Sequence, residues 1–188
     1  MIPVREVVRL LSSHRSDQVV VTHMTNSRQW PLASRREELD LPLIGCMGKA
    51  SSLGLGVALA RPDRKVWVFD SDGALLMNLG TLVTIAHQAP SNLYHFVFQN
   101  NIYETSGGQP VPGLGKFNFR QMALAAGYPG AYEFDRLETF ALELPGILAQ
   151  PGPRLICLRV PAETENIPLP NRRTIHAVKE VMAALAKS

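Results

Sequence analysis

Two short polar runs hold the residues best suited to chemistry in this sequence: Asp70-Ser71-Asp72-Gly73 and Gln99-Asn100-Asn101-Ile102-Tyr103. Each follows a run of strand-forming residues, 66–69 and 93–98. Asp72 and Asn100 lie 28 positions apart, about the length of one helix, one turn and one strand, so the two runs should sit at the same end of a sheet. On neighbouring strands, about 4.8 Å apart, a carboxylate and an amide oxygen reach the same cation. Oxygen ligation with open positions suits Mg²⁺ or Ca²⁺, and Mg²⁺ usually completes its octahedron with phosphates and water. A helix opening at Ala74 would present free N–H groups and a positive dipole end to the same place. Together these residues read as a metal-diphosphate anchor.

The elements that must position them follow from periodicity. Val4, Val7, Val8 and Leu11 repeat at helical spacing over residues 3–11, and residues 19–21 form a short strand. Residues 22–42, holding Pro31 and Pro42, read as a long loop with one helical turn. Residues 48–60 are mostly Gly, Ala, Ser and Leu, which suits a helix packed close to a neighbour. Gly54 and Gly56 inside it each cost roughly 1 kcal/mol relative to Ala, so close packing must need their missing side chains. Residues 74–89 read as one helix, apolar around most of its circumference and buried on most sides. After a Gly- and Pro-rich loop at 105–115 come a helix at 118–126, a strand at 131–134, a helix at 137–149, a strand at 154–160 and a final helix at 174–186. Strands alternating with helices predict an α/β fold: a doubly wound, mainly parallel sheet with helices on both faces, its site beyond the carboxyl ends of the strands.

Composition bounds the rest. The chain has 188 residues, 19 basic and 16 acidic side chains, a net charge of +3 and 46% hydrophobic residues, enough for one globular domain over 1–188, with 161–188 a C-terminal extension and helix. The longest stretch without charge, 73–103, is broken by Asn78, His87, Gln88 and Pro90, so no membrane span is expected. Residues 1–6 carry no targeting pattern, and a cytoplasmic protein is expected. Cys46 and Cys157 have no CxxC spacing, which argues against a zinc site or a disulfide framework. Arg35-Arg36 is followed at once by Glu37-Glu38 and reads as a solvated surface pair, so no nucleic-acid partner is expected.

Ser71-Asp72-Gly73 followed at this interval by Gln99-Asn100 resembles the fingerprint of thiamine-diphosphate enzymes, Gly-Asp-Gly and then Asn-Asn. Gly45-Cys46-Met47-Gly48 is similar to the Gly-Ser-Met-Gly segment of the phosphonopyruvate and sulfopyruvate decarboxylases. Asn26-Ser27-Arg28 and the run from Asn100 through Thr105-Ser106-Gly107-Gly108 to Gln109 match the same group. The resemblance spans residues 19–160. It implies the diphosphate-binding subunit of a two-subunit, thiamine-diphosphate-dependent 2-oxoacid decarboxylase, acting on sulfopyruvate or, alternatively, phosphonopyruvate. It also implies Mg²⁺ held by Asp72, the side chain of Asn100 and the backbone carbonyl of Ile102. Gly45 would accept from the cofactor's aminopyrimidine and Met47 would bend the cofactor. Cys46, Ser71, Gly73, Ala74, Tyr103 and Thr105 complete the implied cofactor-binding set.

The activating Glu of the family is implied to lie on a partner subunit carrying the pyrimidine-binding domain, in a hetero-oligomer. Glu6, Glu37, Glu38, Glu133, Glu138, Glu143, Glu163, Glu165 and Glu180 all fall in the turns, surfaces or tail of the domain already assigned. Ser71 stands where the family has Gly, Gln99 where it has Asn, Cys46 where it has Ser, and Glu104 where Gly is common, which adds a carboxylate near a diphosphate. Ser71 and Glu104 favour the rival expectation, a non-catalytic module of the same fold that binds a nucleotide or cofactor. Taken alone, Asp72 is a helix cap, Met47 core packing, and Cys46 no nucleophile. His87 is expected in the core, and His23, just past the first strand, is a candidate to line the site. Arg28 could steer an acidic substrate.

Overall fold

The computed structural model describes residues 1–162, 167–169, 171 and 174–187. Strands β1 (Val19–His23), β2 (Asp40–Leu43), β3 (Val66–Ser71) and β4 (Leu93–Gln99) join β7 (Gly130–Phe134) and β8 (Arg154–Arg159) in one six-stranded sheet. Its order is β2-β1-β3-β4-β8-β7, and every pairing is parallel. A separate antiparallel ribbon joins β5 (Ile102–Tyr103) to β6 (Gln109–Pro110).

Alternation along the strands makes two cores. Val66 and Val68 face α3 (Ala50–Ala60), α5 (Thr81–Gln88), α6 (Phe119–Ala126) and α8 (Thr174–Leu185). Trp67 and Phe69 face α1 (Val4–Ser13) and α7 (Leu137–Ala149). Both faces of the sheet are covered, which is why its central strands are apolar at nearly every position. Trp67, Phe69, Phe96 and Phe98 form a chain of stacked, edge-to-face and tilted ring contacts across β3 and β4, the strands that lead into the polar runs. The order reverses between β1 and β3, and at such a switch point a crevice opens beyond the strand ends.

Several expectations change. The 22–42 segment contains the expected helical turn, α2 (Asn26–Gln29), but ends in an edge strand, β2, that Asp40 and Pro42 conceal in the pattern. Asp40 is anchored by Arg15 at 2.8 Å, by Trp30 Nε1 at 2.9 Å and by Ser34 Oγ at 2.5 Å, so contacts remote in sequence hold this edge. The single helix at 74–89 is two: α4 (Asp72–Met77) and α5, broken at Asn78-Leu79-Gly80. It is also less buried than expected, with Met77 59% and Val83 62% exposed, and His87 lies on the surface instead of in the core. Gly54 needs its missing side chain, since a Cβ there would come within 2.2 Å of Val68 Cγ2, whereas one at Gly56 would meet nothing within 4 Å.

The 161–188 segment is described only in part. Its helix α8 is no appendage: Ala177 and Val181 are buried in the first core, and Thr174 Oγ1 donates to the Pro42 carbonyl. No helix among the described residues is long and apolar enough to cross a membrane.

Candidate functional site

β3 and β4 are neighbours, with Ser71 opposite Phe98, so the two polar runs emerge side by side. Asp72 is fully buried. Its Oδ2 accepts the backbone N–H of Asn101 at 2.6 Å and its Oδ1 that of Gly73 at 2.8 Å. Among the described residues no Lys or Arg pairs with it. Burial pushes its acid up to about 6, against the opposing pull of the Asn101, Gly73 and Asn100 amides. A buried carboxylate served only by backbone N–H groups is an acceptor short of a cation.

Asp72 is not the helix cap. Ser71 takes that role, its Oγ accepting from Ala74 N at 3.3 Å. That bond spends the Ala74 N–H, and α4 has only six residues, so the expected contribution of a long helix dipole at this point is not present.

The loop after β4 is held from several directions. Gln99 accepts from the Cys157 thiol at 3.2 Å and donates to Asn101 Oδ1 at 2.9 Å. Burial raises the Cys157 thiol's pKa, which keeps it a neutral donor. Asn101 takes the left-handed conformation, φ 67°, which Asn tolerates better than most residues. Asn100 Oδ1 accepts from Ile102 N at 3.1 Å, and Asn100 Nδ2 donates to Glu104 Oε2 at 2.7 Å. Val111 N donates to the Asn101 carbonyl at 3.1 Å, which makes the adjacent Ile102–Pro110 pair a non-hydrogen-bonded one whose carbonyls point away from the ribbon. Asp72, Asn100 and Ile102 thus belong to one hydrogen-bonded junction between the end of β3 and the loop after β4. Among the described residues no group of three His, Cys, Asp or Glu could hold a metal.

The remaining candidates converge as follows. Gly45 and Cys46 are exposed, and Cys46 is a free thiol. Met47 reaches the 105–106 turn, where Ser106 Oγ lies 3.8 Å from its sulfur. Asn78, in the break between α4 and α5, donates to the Gly48 carbonyl at 2.9 Å and fixes that loop's far end. The Tyr103 ring lies over Gly73, where a Cβ would come within 2.6 Å of it. Thr105, Met47, Ser71 and His23 line a cleft of about 10 Å³, room for one water. His23 does reach the site: its Nδ1 is 3.3 Å from Ser71 Oγ, its Nε2 has no partner, and burial lowers its pKa and keeps it neutral, against the opposing charge of Asp70. Beneath them Asp70 Oδ2 lies 3.2 Å from His95 Nε2, both fully buried, a pair that sequence spacing did not reveal. Glu163 and Glu165 lie outside the described residues, so their expected place in the tail is not described. A larger groove of about 710 Å³ runs along β7, with the Arg159–Glu133 ion pair in its lining.

Comparison with known proteins bears on this geometry. Residues 20–158 match the family described as thiamine pyrophosphate enzyme, C-terminal TPP binding domain. A phosphonopyruvate decarboxylase from Streptomyces hygroscopicus is 40% identical over 76% of this chain, which spans 35% of that protein's length. The sulfopyruvate decarboxylase subunit beta of Methanococcus maripaludis is 27% identical, over 87% of this chain and 86% of its own. A solved structure from Mycobacterium smegmatis, described as a thiamin diphosphate-dependent enzyme, superposes with a TM-score of 0.70 at 19% identity, over 86% of this chain and 32% of that one, and bears out the fold.

Proposed function

The chain belongs to the thiamine pyrophosphate enzyme family, as a C-terminal TPP-binding domain, and from that premise we propose that it is the diphosphate-binding subunit of a two-subunit, cytoplasmic 2-oxoacid decarboxylase that converts sulfopyruvate to sulfoacetaldehyde and CO₂. The observation that carries this reading is the buried Asp72 carboxylate, short of a cation and tied to the loop of Asn100. A Mg²⁺ ion fits there: Asp72, Asn100 Oδ1 and the Ile102 carbonyl would ligate it, and a diphosphate would fill its open positions. Ser71, Gly73, Ala74, Tyr103 and Thr105 would border the diphosphate. The Gly45 carbonyl and Cys46 would face the aminopyrimidine, and Met47 offers the bulky side chain against which the cofactor bends.

When bound, thiamine diphosphate supplies the electron sink for loss of CO₂. This chain's residues hold and orient it, and Met47 favours the reactive conformation. Ser71 and Glu104, which favoured a non-catalytic module, both have structural work compatible with cofactor binding: Ser71 caps α4, and Glu104 holds the Asn100 amide.

Residues 1–188 are read as one domain, and the activating Glu is assigned to a partner subunit with the pyrimidine-binding domain. The relative named as a beta subunit, matching nearly end to end, supports a split enzyme, and the exposed Met77 and Val83 give the partner an apolar surface. The phosphonopyruvate decarboxylase at 40% identity supports the second reading, phosphonopyruvate as substrate. Titrating thiamine diphosphate by calorimetry with Mg²⁺ and with chelator tests the cofactor reading. Turnover of both 2-oxoacids by the assembled enzyme separates the substrates.

A further inference from the structure

We propose that Glu104 is the positioning residue of the metal site, fixing the side-chain amide of Asn100 with its oxygen toward the cation; this rests on the metal-diphosphate reading of that site. An Asn side chain has one end that can ligate a cation and one that repels it, and the two ends are nearly isosteric. A loop Asn must therefore be held against a flip. Here both ends are engaged: Oδ1 accepts from Ile102 N at 3.1 Å, and Nδ2 donates to Glu104 Oε2 at 2.7 Å. A flipped amide would set Nδ2 against the Ile102 N–H and Oδ1 against the Glu104 carboxylate, losing both bonds and adding two repulsions.

The Ile102 bond alone is a local turn within the loop and leaves Nδ2 unengaged. The charge-assisted bond to Glu104 is the stronger of the two. Oδ1, with one lone pair on Ile102 N, keeps the other for a metal. Glu104 is part of the same loop and lies only four positions on, so the loop carries its own orienting group.

This account and a simple electrostatic one part at Gln. If Glu104 acted only as a negative charge, Glu104→Ala and Glu104→Gln, which both remove it, would change metal and cofactor binding alike. As a positioning group it must be replaceable by Gln, whose amide oxygen still accepts from Asn100 Nδ2, and not by Ala.

The experiment has two readouts on the full chain and both variants. The first is the Asn100 side-chain amide in ¹⁵N–¹H spectra without ligand. One of its protons should show a strong hydrogen bond in the wild type and in Glu104→Gln, lost in Glu104→Ala. The second is Mn²⁺ affinity in the presence of thiamine diphosphate, read by paramagnetic relaxation, which should fall roughly 10- to 100-fold in Glu104→Ala and stay near wild type in Glu104→Gln. Unchanged or tighter Mn²⁺ binding in Glu104→Ala overturns the proposal, as does a Gln variant as weak as the Ala one or an amide spectrum indifferent to both. No cofactor-dependent Mn²⁺ binding by the wild type, with the amide spectrum as expected, overturns the metal-diphosphate reading and with it the purpose assigned to Glu104.

Discussion

The carboxylate of Asp72 and the backbone N–H of Asn101 are 2.6 Å apart, a bond that ties the start of α4 to the loop after β4 across 29 positions of sequence. In the proposed ligand set with Asn100 and the Ile102 carbonyl, this carboxylate would be the only formally charged oxygen donor. Asp72→Ala and Asn100→Ala should each weaken Mg²⁺-dependent binding of thiamine diphosphate by at least about tenfold, since each removes an inner-sphere oxygen. Calorimetry with circular dichroism as a fold control checks this, and unchanged affinity in either variant removes that residue from the set.

Without a cation, Asp72 is a cost. Asp72→Asn keeps an acceptor for the Asn101 N–H and removes a buried charge, so the ligand-free variant should melt higher than wild type, by roughly 2–4 °C for each kcal/mol relieved. Mg²⁺ with thiamine diphosphate should then stabilise it less than wild type. Thermal melts of both proteins with and without ligand read both effects, and a lower ligand-free melting point for Asp72→Asn contradicts the account.

Met47 lies against the 105–106 turn, with its sulfur 3.8 Å from Ser106 Oγ. Met47→Ala should leave cofactor affinity within about tenfold and depress turnover more, because orientation and not anchoring is lost. Equal turnover would make Met47 ordinary packing.

Two glycines of α3 separate packing from propensity. Gly54→Ala forces a methyl into Val68, against the strand that carries Asp72, and should destabilise the chain by about 1–3 kcal/mol. Gly56→Ala meets nothing within 4 Å and should stabilise it by up to about 1 kcal/mol. Urea denaturation of the two variants gives the comparison.

Where residues repeat with a clean period, the fold was legible. Val4, Val7, Val8 and Leu11 are all buried as their spacing requires, and the apolar runs before Asp70 and Gln99 are central strands. β2 was not legible, because Asp40 and Pro42 look like loop residues until Arg15, Trp30 and Ser34 are seen to hold Asp40. Nor was the break at Asn78: its side chain serves the Gly48 carbonyl, a contact across 30 positions that overrides the apolar pattern of 74–89. At the site, spacing placed the two polar runs side by side, but the bond from the Cys157 thiol to Gln99 is tertiary and that from Asn100 to Glu104 is a side-chain contact within one loop, and local propensity carries no trace of either.

The central claim is that this chain holds half of a shared cofactor pocket, and sulfopyruvate turnover tests it most directly. The chain is assayed for CO₂ release with Mg²⁺ and thiamine diphosphate, alone and after assembly with a pyrimidine-domain subunit of a sulfopyruvate decarboxylase. The account predicts no turnover by the chain alone, turnover on assembly, and its loss when the assembled chain carries Asp72→Ala. Robust decarboxylation by the 188-residue chain alone, or assembly that yields a stable complex without turnover of any 2-oxoacid, would contradict it.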